Sequence, residues 1–178
     1  MLLEKLNNYK IILGSASTRR RQLLEEMGIN FSTKITLEQE DFPKNLKGKE
    51  IAEFLARKKS NFILKDLAGN YLLITADTIV IQNDKILDKP KDKEDAVKIL
   101  QNLSGSKHKV ISGVCIKSQS KEVTFSSVSE VSFNDLSEKE IIYYIDNFKP
   151  FDKAGSYGIQ EWIGYIGIKK INGSYNNV

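Results

Sequence analysis

The chain has 178 residues, of which 40% are hydrophobic, and this is enough material to bury one core of ordinary size. The net charge of +4, from 27 Lys and Arg against 23 Asp and Glu, suits a polyanionic ligand without by itself indicating nucleic acid. The single Cys excludes a disulfide framework and a cysteine-based zinc cluster, and the single His excludes a multi-histidine metal site. Any bound metal must therefore have oxygen ligands, as Mg²⁺ or Mn²⁺ does.

The first half of the chain alternates predicted strands and helices. A short strand at 9–13 precedes a turn of small residues and a helix that ends at Gly28. A second helix is predicted at about 49–67, a strand at 72–81, and a third helix at roughly 92–103. The apolar stripe of the second helix consists of Ile51, Phe54, Leu55, Phe62 and Ile63.

Strands dominate the second half. We predict strands at 110–116 and 121–133, a helix opened by the capping box at 137–140, and one or two strands within 159–175. The apolar residues of the 121–133 strand are Val123, Phe125, Val128 and Val131, with a change of phase near Ser126 and Ser127. This order predicts an α/β fold with a mixed, twisted sheet flanked by helices. Since no linker is visible, we expect a single domain over 1–178, with two lobes around a central cleft.

One carboxylate, that of Asp77, lies in the middle of the 72–81 strand. The strand is rich in β-branched residues and lacks polar alternation, which predicts that both of its faces are covered. An isolated buried carboxylate is unstable, so Asp77 must be paired, protonated or bound to a metal. Asp77 is therefore either a functional acid or a structural aspartate that holds a turn at a strand end.

The segment from Ser15 to Arg21 places hydroxyl groups and three arginines at the start of a predicted helix. Free N–H groups and the helix dipole favour phosphate there, and arginine can bind phosphate through two donors. The same dipole disfavours arginine in the first turn, so three of them indicate a compensating anion. The alternative is a Ser/Thr cap followed by solvated arginines. Neither G-x-x-x-x-G-K-[ST] nor G-x-G-x-x-G occurs, which excludes the common nucleotide fingerprints.

Further charged residues could complete a phosphate and metal site. Lys58 and Lys59 continue the apolar stripe of the second helix, so at least one should lean toward the buried side, although snorkelling is the alternative. Lys89 follows in a loop. Glu40 and Asp41 offer a second carboxylate, or simply a solvated loop. Carboxylates for a divalent cation together with cations for phosphate are what attack by water on a polyphosphate requires.

Four groups of segments carry motifs in a recognisable order. They are SASTRR at 15–20, ADTIV at 76–80, LDKP at 87–90 with LSGSKHKV at 103–110, and DKAGSYGIQ at 152–160. They resemble S-x-S-P-R-R, A-D-T-[IV]-V, L-G-K-P with L-S-G-x-x-H-x-V, and D-K-A-G-[AS]-Y-G-I-Q of the Maf family of nucleoside triphosphate pyrophosphatases. The resemblance covers nearly the whole chain. Thr18 stands in place of the family's proline, and Glu161 stands where a glycine usually follows the glutamine.

The resemblance implies a fold like that of Maf and inosine triphosphate pyrophosphatases, and hydrolysis of a nucleoside triphosphate between the α and β phosphates with a divalent cation, Mg²⁺ or Mn²⁺. It implies that Asp77 is the catalytic acid or base and that Glu40 and Asp77 bind the metal, with Glu38 or Asp41 as alternatives to Glu40. Residues around the polyphosphate would be Ser15, Arg20, Lys59 and Lys89, and those that set base choice would be Arg19, Thr78 and Gln160. Arg19 and the segment around Gln160 are similar to the branch that acts on dTTP and UTP rather than on 7-methyl-GTP.

The same resemblance suggests a nucleoside triphosphate substrate, with modified pyrimidine nucleotides among the candidates, and a homodimer. A second hypothesis is a nucleotide-responsive regulator of cell division and septum formation that acts mainly by binding. A third, a basic nucleic-acid-binding domain, is disfavoured because the aromatic residues are not interleaved with the basic ones. No leader or membrane-length apolar run is visible, so we expect a cytoplasmic protein without a nucleic-acid or membrane partner. His108 and Cys115 are interpreted as structural.

Overall fold

The computed structural model describes residues 2–35 and 40–178, and these form a mixed seven-stranded sheet with flanking helices. The helices are α1 (Leu2–Leu6), α2 (Thr18–Glu26), α3 (Lys49–Leu64), α4 (Lys93–Leu103), α5 (Glu138–Phe148) and α6 (Trp162–Gly167). The strands are β1 (Lys10–Gly14), β2 (Ser32–Thr33), β3 (Tyr71–Gln82), β4 (Lys85–Leu87), β5 (Lys107–Lys117), β6 (Glu122–Phe133) and β7 (Ile168–Asn172). The predicted α/β class and mixed sheet are confirmed. Within the described part of the chain, no helix has the length and apolar character needed to cross a membrane.

The strand order is β2-β1-β3-β5-β6-β7, with β4 paired to β3. The chain divides into two compact units. The first unit comprises residues 1–77 and 113–126, and the second unit comprises residues 78–112 and 127–178. Each of the strands β3, β5 and β6 therefore has one part in the first unit and one part in the second.

In the first unit, β1 lies between β2 and β3 and runs parallel to both. The pairing of β1 with β3 extends from Lys10 opposite Tyr71 to Gly14 opposite Thr75. Helix α2 follows β1 and ends before Gly28, whose φ of +69° needs the conformational freedom of glycine, as the sequence predicts.

The buried face of α3 has smaller side chains than the sequence predicts. Phe62, which belongs to the predicted apolar stripe, is 44% exposed, whereas Ala52 and Ala56 are fully buried. A Cβ atom on Gly113 of β5 would lie 2.2 Å from the carbonyl carbon and oxygen of Ala52, so the backbones of α3 and β5 are in contact there. Alanine and glycine permit this approach, and a stripe judged by hydrophobicity alone does not detect it.

In the second unit, β3 turns into β4 through two residues with positive φ, Asn83 at 49° and Asp84 at 60°, as a two-residue type I′ hairpin requires. The predicted capping box at the start of α5 is confirmed: the N–H of Ser137 donates to Glu140 Oε2 at 2.7 Å, and the Ser137 hydroxyl accepts from the Glu140 N–H at 3.4 Å. Helices α4 and α5 cover a core that contains Val80, Leu100, Leu103, Val131, Phe133, Ile141 and Ile145.

Two of the predicted strand regions are present as strands but differ from the expectation in detail. Residues 162–167 form a helix, and only Ile168–Asn172 forms a strand. A Cβ atom on Gly164 would lie 1.8 Å from the carbonyl oxygen of Ile159, so α6 turns back tightly on the residues before it. Val123 and Phe125 of β6 are 43% and 47% exposed, because alternation identifies a strand face but not where along the strand that face is covered.

Candidate active site

The end of β1 and the middle of β3 bring two predicted site segments together in the first unit. Gly14 ends β1 opposite Thr75, and Asp77 follows two residues later in β3. A Cβ atom on Gly14 would lie 2.6 Å from both Ile63 Cδ1 and Thr75 Cγ2, so glycine allows this close packing. Because the parallel pairing of β1 with β3 ends at Gly14 and Thr75, Ser15 emerges beside the part of β3 that carries Asp77.

The start of α2 is organised by serine hydroxyls. Ser17 is the N-cap residue, and its hydroxyl accepts from the N–H of Arg20 at 3.5 Å. The N–H of Ser17 donates to Ser15 Oγ at 3.2 Å. The Ser/Thr cap that the sequence suggests is thus present, and its geometry determines where Arg20 points.

Arg20 turns back from the first turn of α2 toward β3. Its Nη1 donates to Ser15 Oγ at 3.1 Å and to the carbonyl of Ala76 at 2.7 Å. Burial lowers the pKa of Arg20, and the negative charges of Asp77 and Glu40 oppose that shift. Asp77 and Glu40 therefore provide negative charge near Arg20, which belongs to the run of three arginines.

The Asp77 carboxylate is buried, with the residue only 5% exposed, and it forms an ion pair with Lys59. The same Lys59 Nζ lies 2.9 Å from Glu40 Oε1. Burial raises the pKa of Asp77, the charge and hydrogen bond of Lys59 lower it, Glu40 raises it, and Arg20 lowers it. Because β3 continues to Gln82, Asp77 is not at a strand end and does not hold a turn.

Neighbouring lysines on α3 make different contacts. Lys59 reaches the buried carboxylate, whereas Lys58 pairs with Asp41, whose side chain is largely exposed. The hydrogen bond from Lys58 lowers the pKa of Asp41. Of the carboxylates considered for a second metal ligand, Glu40 shares Lys59 with Asp77, Asp41 does not, and Glu38 lies outside the described residues.

The donor set fits a hard divalent cation. The Lys59 ammonium group bridges the carboxylates of Glu40 and Asp77, which marks a position where positive charge is stabilised by two oxygen ligands. Across residues 2–35 and 40–178, no group of three or more His, Cys, Asp or Glu could hold a metal ion. Two carboxylates are nevertheless sufficient for Mg²⁺, which commonly takes its other ligands from substrate phosphates and water.

The other predicted site residues lie in segments apart from the ion pair of Asp77 and Lys59. Arg19 is half-buried in the first turn of α2. In the second unit, Thr78 Oγ1 lies 2.8 Å from Ser112 Oγ, Lys89 is exposed after β4, and Gln160 is exposed just before α6. The structure therefore gathers Ser15, Arg20, Glu40, Lys59 and Asp77 within the first unit, and it places Thr78, Lys89 and Gln160 in three segments of the second.

Two features of this region were not predicted. The Ala76 carbonyl, which anchors Arg20, has no side-chain signal that a sequence could show. Arg21, the third arginine of the run, lines a surface depression of about 440 Å³ together with Glu25 and Phe31, away from the residues that surround Asp77. Adjacent residues on a helix point in different directions, which separates Arg21 from the contacts of Arg20.

The chain is similar to a known protein family and to several named proteins. The chain matches the model of a family described as Maf-like protein over residues 10–178. It is 45% identical over 178 residues to a protein named dTTP/UTP pyrophosphatase from Flavobacterium johnsoniae, covering 100% of this chain and 92% of that protein. A relative of the same name from Christiangramia forsetii is 49% identical, and the match covers 100% of this chain and 91% of that protein. A crystal structure of a nucleoside-triphosphatase / dITP/XTP pyrophosphatase from Mycobacterium abscessus has a TM-score of 0.45 and 15% identity, covering 71% of this chain and 75% of that one.

Proposed function

Because the chain belongs to the Maf-like protein family, we propose that it is a nucleoside triphosphate pyrophosphatase that acts on dTTP, UTP and modified pyrimidine nucleoside triphosphates. The products are a nucleoside monophosphate and pyrophosphate. The names of relatives that are 44–49% identical over nearly their full length support this substrate class. The structural observation that carries the proposal is the buried Asp77 carboxylate, which Lys59 holds beside Glu40 and next to the anchored Arg20.

In the proposed reaction, the oxygen of a water molecule attacks the α-phosphorus, and the bond from that phosphorus to the oxygen bridging to the β-phosphate breaks. Pyrophosphate leaves with that bridging oxygen. Asp77 acts as the general base that accepts the proton of the attacking water. Burial raises the pKa of Asp77, which strengthens it as a base, while Lys59 and Arg20 favour its ionised form.

The cationic residues bind the phosphate chain. Arg20 is held by Ser15 Oγ and the Ala76 carbonyl through one guanidinium nitrogen, Nη1. A guanidinium fixed in this way is pre-organised to bind phosphate oxygens and to stabilise the charge that moves onto the leaving pyrophosphate. Lys59, Lys89 and the Ser15 hydroxyl supply further donors.

Glu40 and Asp77 would hold the divalent cation, Mg²⁺ or Mn²⁺. When bound, that cation would neutralise negative charge on the phosphate oxygens. Lys59 holds the two carboxylates near each other, because its ammonium group bonds both. The mutual repulsion of the carboxylates is thereby reduced before any metal binds.

Arg19, Thr78 and Gln160 select the base. The amide of Gln160 can present a donor and an acceptor together, which matches the edge of a pyrimidine. The proposal also takes residues 1–178 as one functional domain and the active form as a homodimer, which light scattering of the purified protein would test.

The test is pyrophosphate release from a panel of pyrimidine, purine and modified nucleoside triphosphates, with Mg²⁺ or Mn²⁺. Three proteins are compared, namely the wild type, Asp77→Asn, and Asp66→Asn as a matched control whose carboxylate is exposed and paired with Lys34. We expect release from dTTP and UTP to fall by about 10²- to 10⁴-fold in Asp77→Asn and to be unchanged in Asp66→Asn. If the folded wild type binds nucleotide but hydrolyses no member of the panel, the enzyme proposal is wrong and the regulatory hypothesis replaces it.

A further inference from the structure

The segment that carries Gln160 is tied to the core of the second unit by a buried hydroxyl. Tyr144 of α5 has no exposed surface, and its OH accepts a hydrogen bond from the N–H of Gly158 at 3.0 Å. The same OH donates to Glu161 Oε2. One tyrosine therefore connects the residue two positions before Gln160 with the residue that follows it.

The second oxygen of Glu161 is also engaged. Lys153 Nζ lies 3.1 Å from Glu161 Oε1, and the Lys153 side chain is only 12% exposed. Both oxygens of the Glu161 carboxylate thus have partners, one from α5 and one from the segment before the turn. A partly buried carboxylate with a charged and a neutral donor is held in one orientation.

The space around this carboxylate is closed by a glycine. A Cβ atom on Gly158 would lie 2.9 Å from Glu161 Cδ, so the carboxylate packs directly against the Gly158 backbone. The N–H of Glu161 donates to the carbonyl of Gly158 at 3.0 Å, which closes a tight turn around Ile159 and Gln160. Ile159 points into the core, whereas Gln160 is exposed.

A simpler role for Glu161 would be to cap α6, which begins at the next residue. Its side chain, however, makes no capping hydrogen bond. It bonds to Tyr144 and Lys153 instead, and both bonds stabilise the turn rather than the helix.

We propose that Glu161 is a positioning residue for base selection: with Tyr144 and Lys153 it holds the turn of residues 158–161 so that Gln160 presents its amide in one orientation. This inference rests on the proposed function, in which Gln160 contacts the base. A fixed amide discriminates between bases because a wrong base leaves its donor or acceptor unpaired. Without the Glu161 carboxylate the turn samples other conformations, and Gln160 accommodates more than one pattern of donors and acceptors.

The experiment measures the ratio of kcat/KM for dTTP to kcat/KM for dGTP in the wild type and in single variants. We expect the ratio to fall about tenfold in Glu161→Ala and in Tyr144→Phe, with kcat for dTTP reduced less than about threefold. Glu161→Gln, which keeps an acceptor for Tyr144 but loses the ion pair with Lys153, should lie between these and the wild type. Glu130→Gln is the matched control, because it removes an exposed glutamate paired with Lys107 in the same unit.

A double-variant cycle separates positioning from general destabilisation. Gly158→Ala should lower the ratio in the wild type, because the new methyl group displaces the Glu161 carboxylate. In the Glu161→Ala background the same substitution should change the ratio little, since the displaced group is already absent. If the two substitutions acted only through general destabilisation, their effects on the ratio would be additive.

The outcomes are distinguishable. An active wild type with an unchanged dTTP-to-dGTP ratio in Glu161→Ala and Tyr144→Phe overturns this inference and leaves the proposed function intact. A wild type that hydrolyses no nucleoside triphosphate overturns both. If Glu161→Ala fails to fold, the nearly isosteric Glu161→Gln decides: a ratio equal to that of the wild type and of Glu130→Gln refutes the role.

Discussion

Lys59 forms an ion pair with Asp77, the carboxylate buried in the middle of β3, while the adjacent Lys58 pairs with the exposed Asp41. Two lysines that are neighbours in sequence thus occupy different electrostatic environments. The difference arises because successive side chains on a helix are rotated by about 100° from each other. It provides a matched pair of positions for testing what the buried ion pair does.

Lys59→Met should shift the pH dependence of hydrolysis. The positive charge of Lys59 opposes the effect of burial on Asp77, so its removal raises the pKa of that carboxyl further. The acidic limb of the kcat/KM profile should move to higher pH, and activity at pH 7 should fall at least about tenfold. Lys58→Met should leave the profile in place and change activity less than about threefold. Equal effects of the two substitutions would refute a specific role for the Lys59–Asp77 pair.

Arg20→Lys should weaken substrate binding although it retains the charge. Arg20 Nη1 reaches both Ser15 Oγ and the Ala76 carbonyl, which fixes the orientation of the planar guanidinium. A lysine ammonium is a single point of donation and cannot reproduce this arrangement. We expect KM for dTTP to rise about tenfold or more in steady-state assays.

Arg21→Lys is the control for that change, because Arg21 lies on the exposed side of α2 and contributes to the separate depression there. Its KM should match that of the wild type. A comparable increase in both variants would mean that the run of arginines acts only through its total charge.

Gly113→Ala should destabilise the protein by overpacking. A Cβ atom there would lie 2.2 Å from the Ala52 carbonyl, and the obstacle is backbone rather than a flexible side chain. Helix α3 must shift away from β5, so urea denaturation should show a loss of about 1–3 kcal/mol in the free energy of unfolding. Because α3 also carries Lys59, we expect activity to fall even under conditions where the variant is folded.

Gly69→Asn tests whether the effect at Gly113 is specific. Gly69 has a φ of +78°, a Cβ atom added to it would meet no other atom within 4 Å, and asparagine tolerates this backbone conformation. The substitution should change the free energy of unfolding by less than about 1 kcal/mol. If the two variants are equally stable, the close contact between α3 and β5 is not as the structure has it.

His108 should make the protein less stable in mild acid. It is 2% exposed, its Nε2 lies 2.7 Å from the Tyr157 OH, and burial lowers its pKa to about 4 from an ordinary value of 6.5. Since its folded-state pKa lies below its unfolded-state pKa, the unfolded chain binds the proton more readily between these values. The contribution of neutral His108 to the free energy of unfolding is therefore complete above pH 6.5, and it declines as the pH falls toward 4.

Between pH 7.5 and pH 5, this linkage corresponds to a loss of about 2 kcal/mol in the free energy of unfolding. His108→Gln, which retains one donor and one acceptor, removes the titrating group. Urea denaturation at the two pH values should therefore show a change that is smaller in the variant by about that amount. Identical pH dependence in both proteins would show that His108 does not titrate in this way.

Much of the secondary structure could be predicted because its signals are local. The capping box at Ser137 and Glu140 and the glycine that ends α2 each depend on residues a few positions apart. The helix at 162–167 could not be predicted, because a short apolar segment with two glycines is compatible with either a strand or a helix.

For the site, the sequence by itself determined which functional groups are available: an aspartate in a buried strand, hydroxyls and arginines at a helix start, and lysines on an apolar helix face. It also determined the family, since motifs in a constant order are a property of sequence. Only the tertiary structure decided which of these groups are in contact with one another. Lys59 rather than Lys58 contacts Asp77, Arg20 is anchored on the Ala76 carbonyl, and Glu161 joins Tyr144 and Lys153. The physical reason is that these contacts join residues from 8 to 56 positions apart through backbone groups, close glycine packing and side-chain direction, which depend on the packed positions of the elements and not on local patterns.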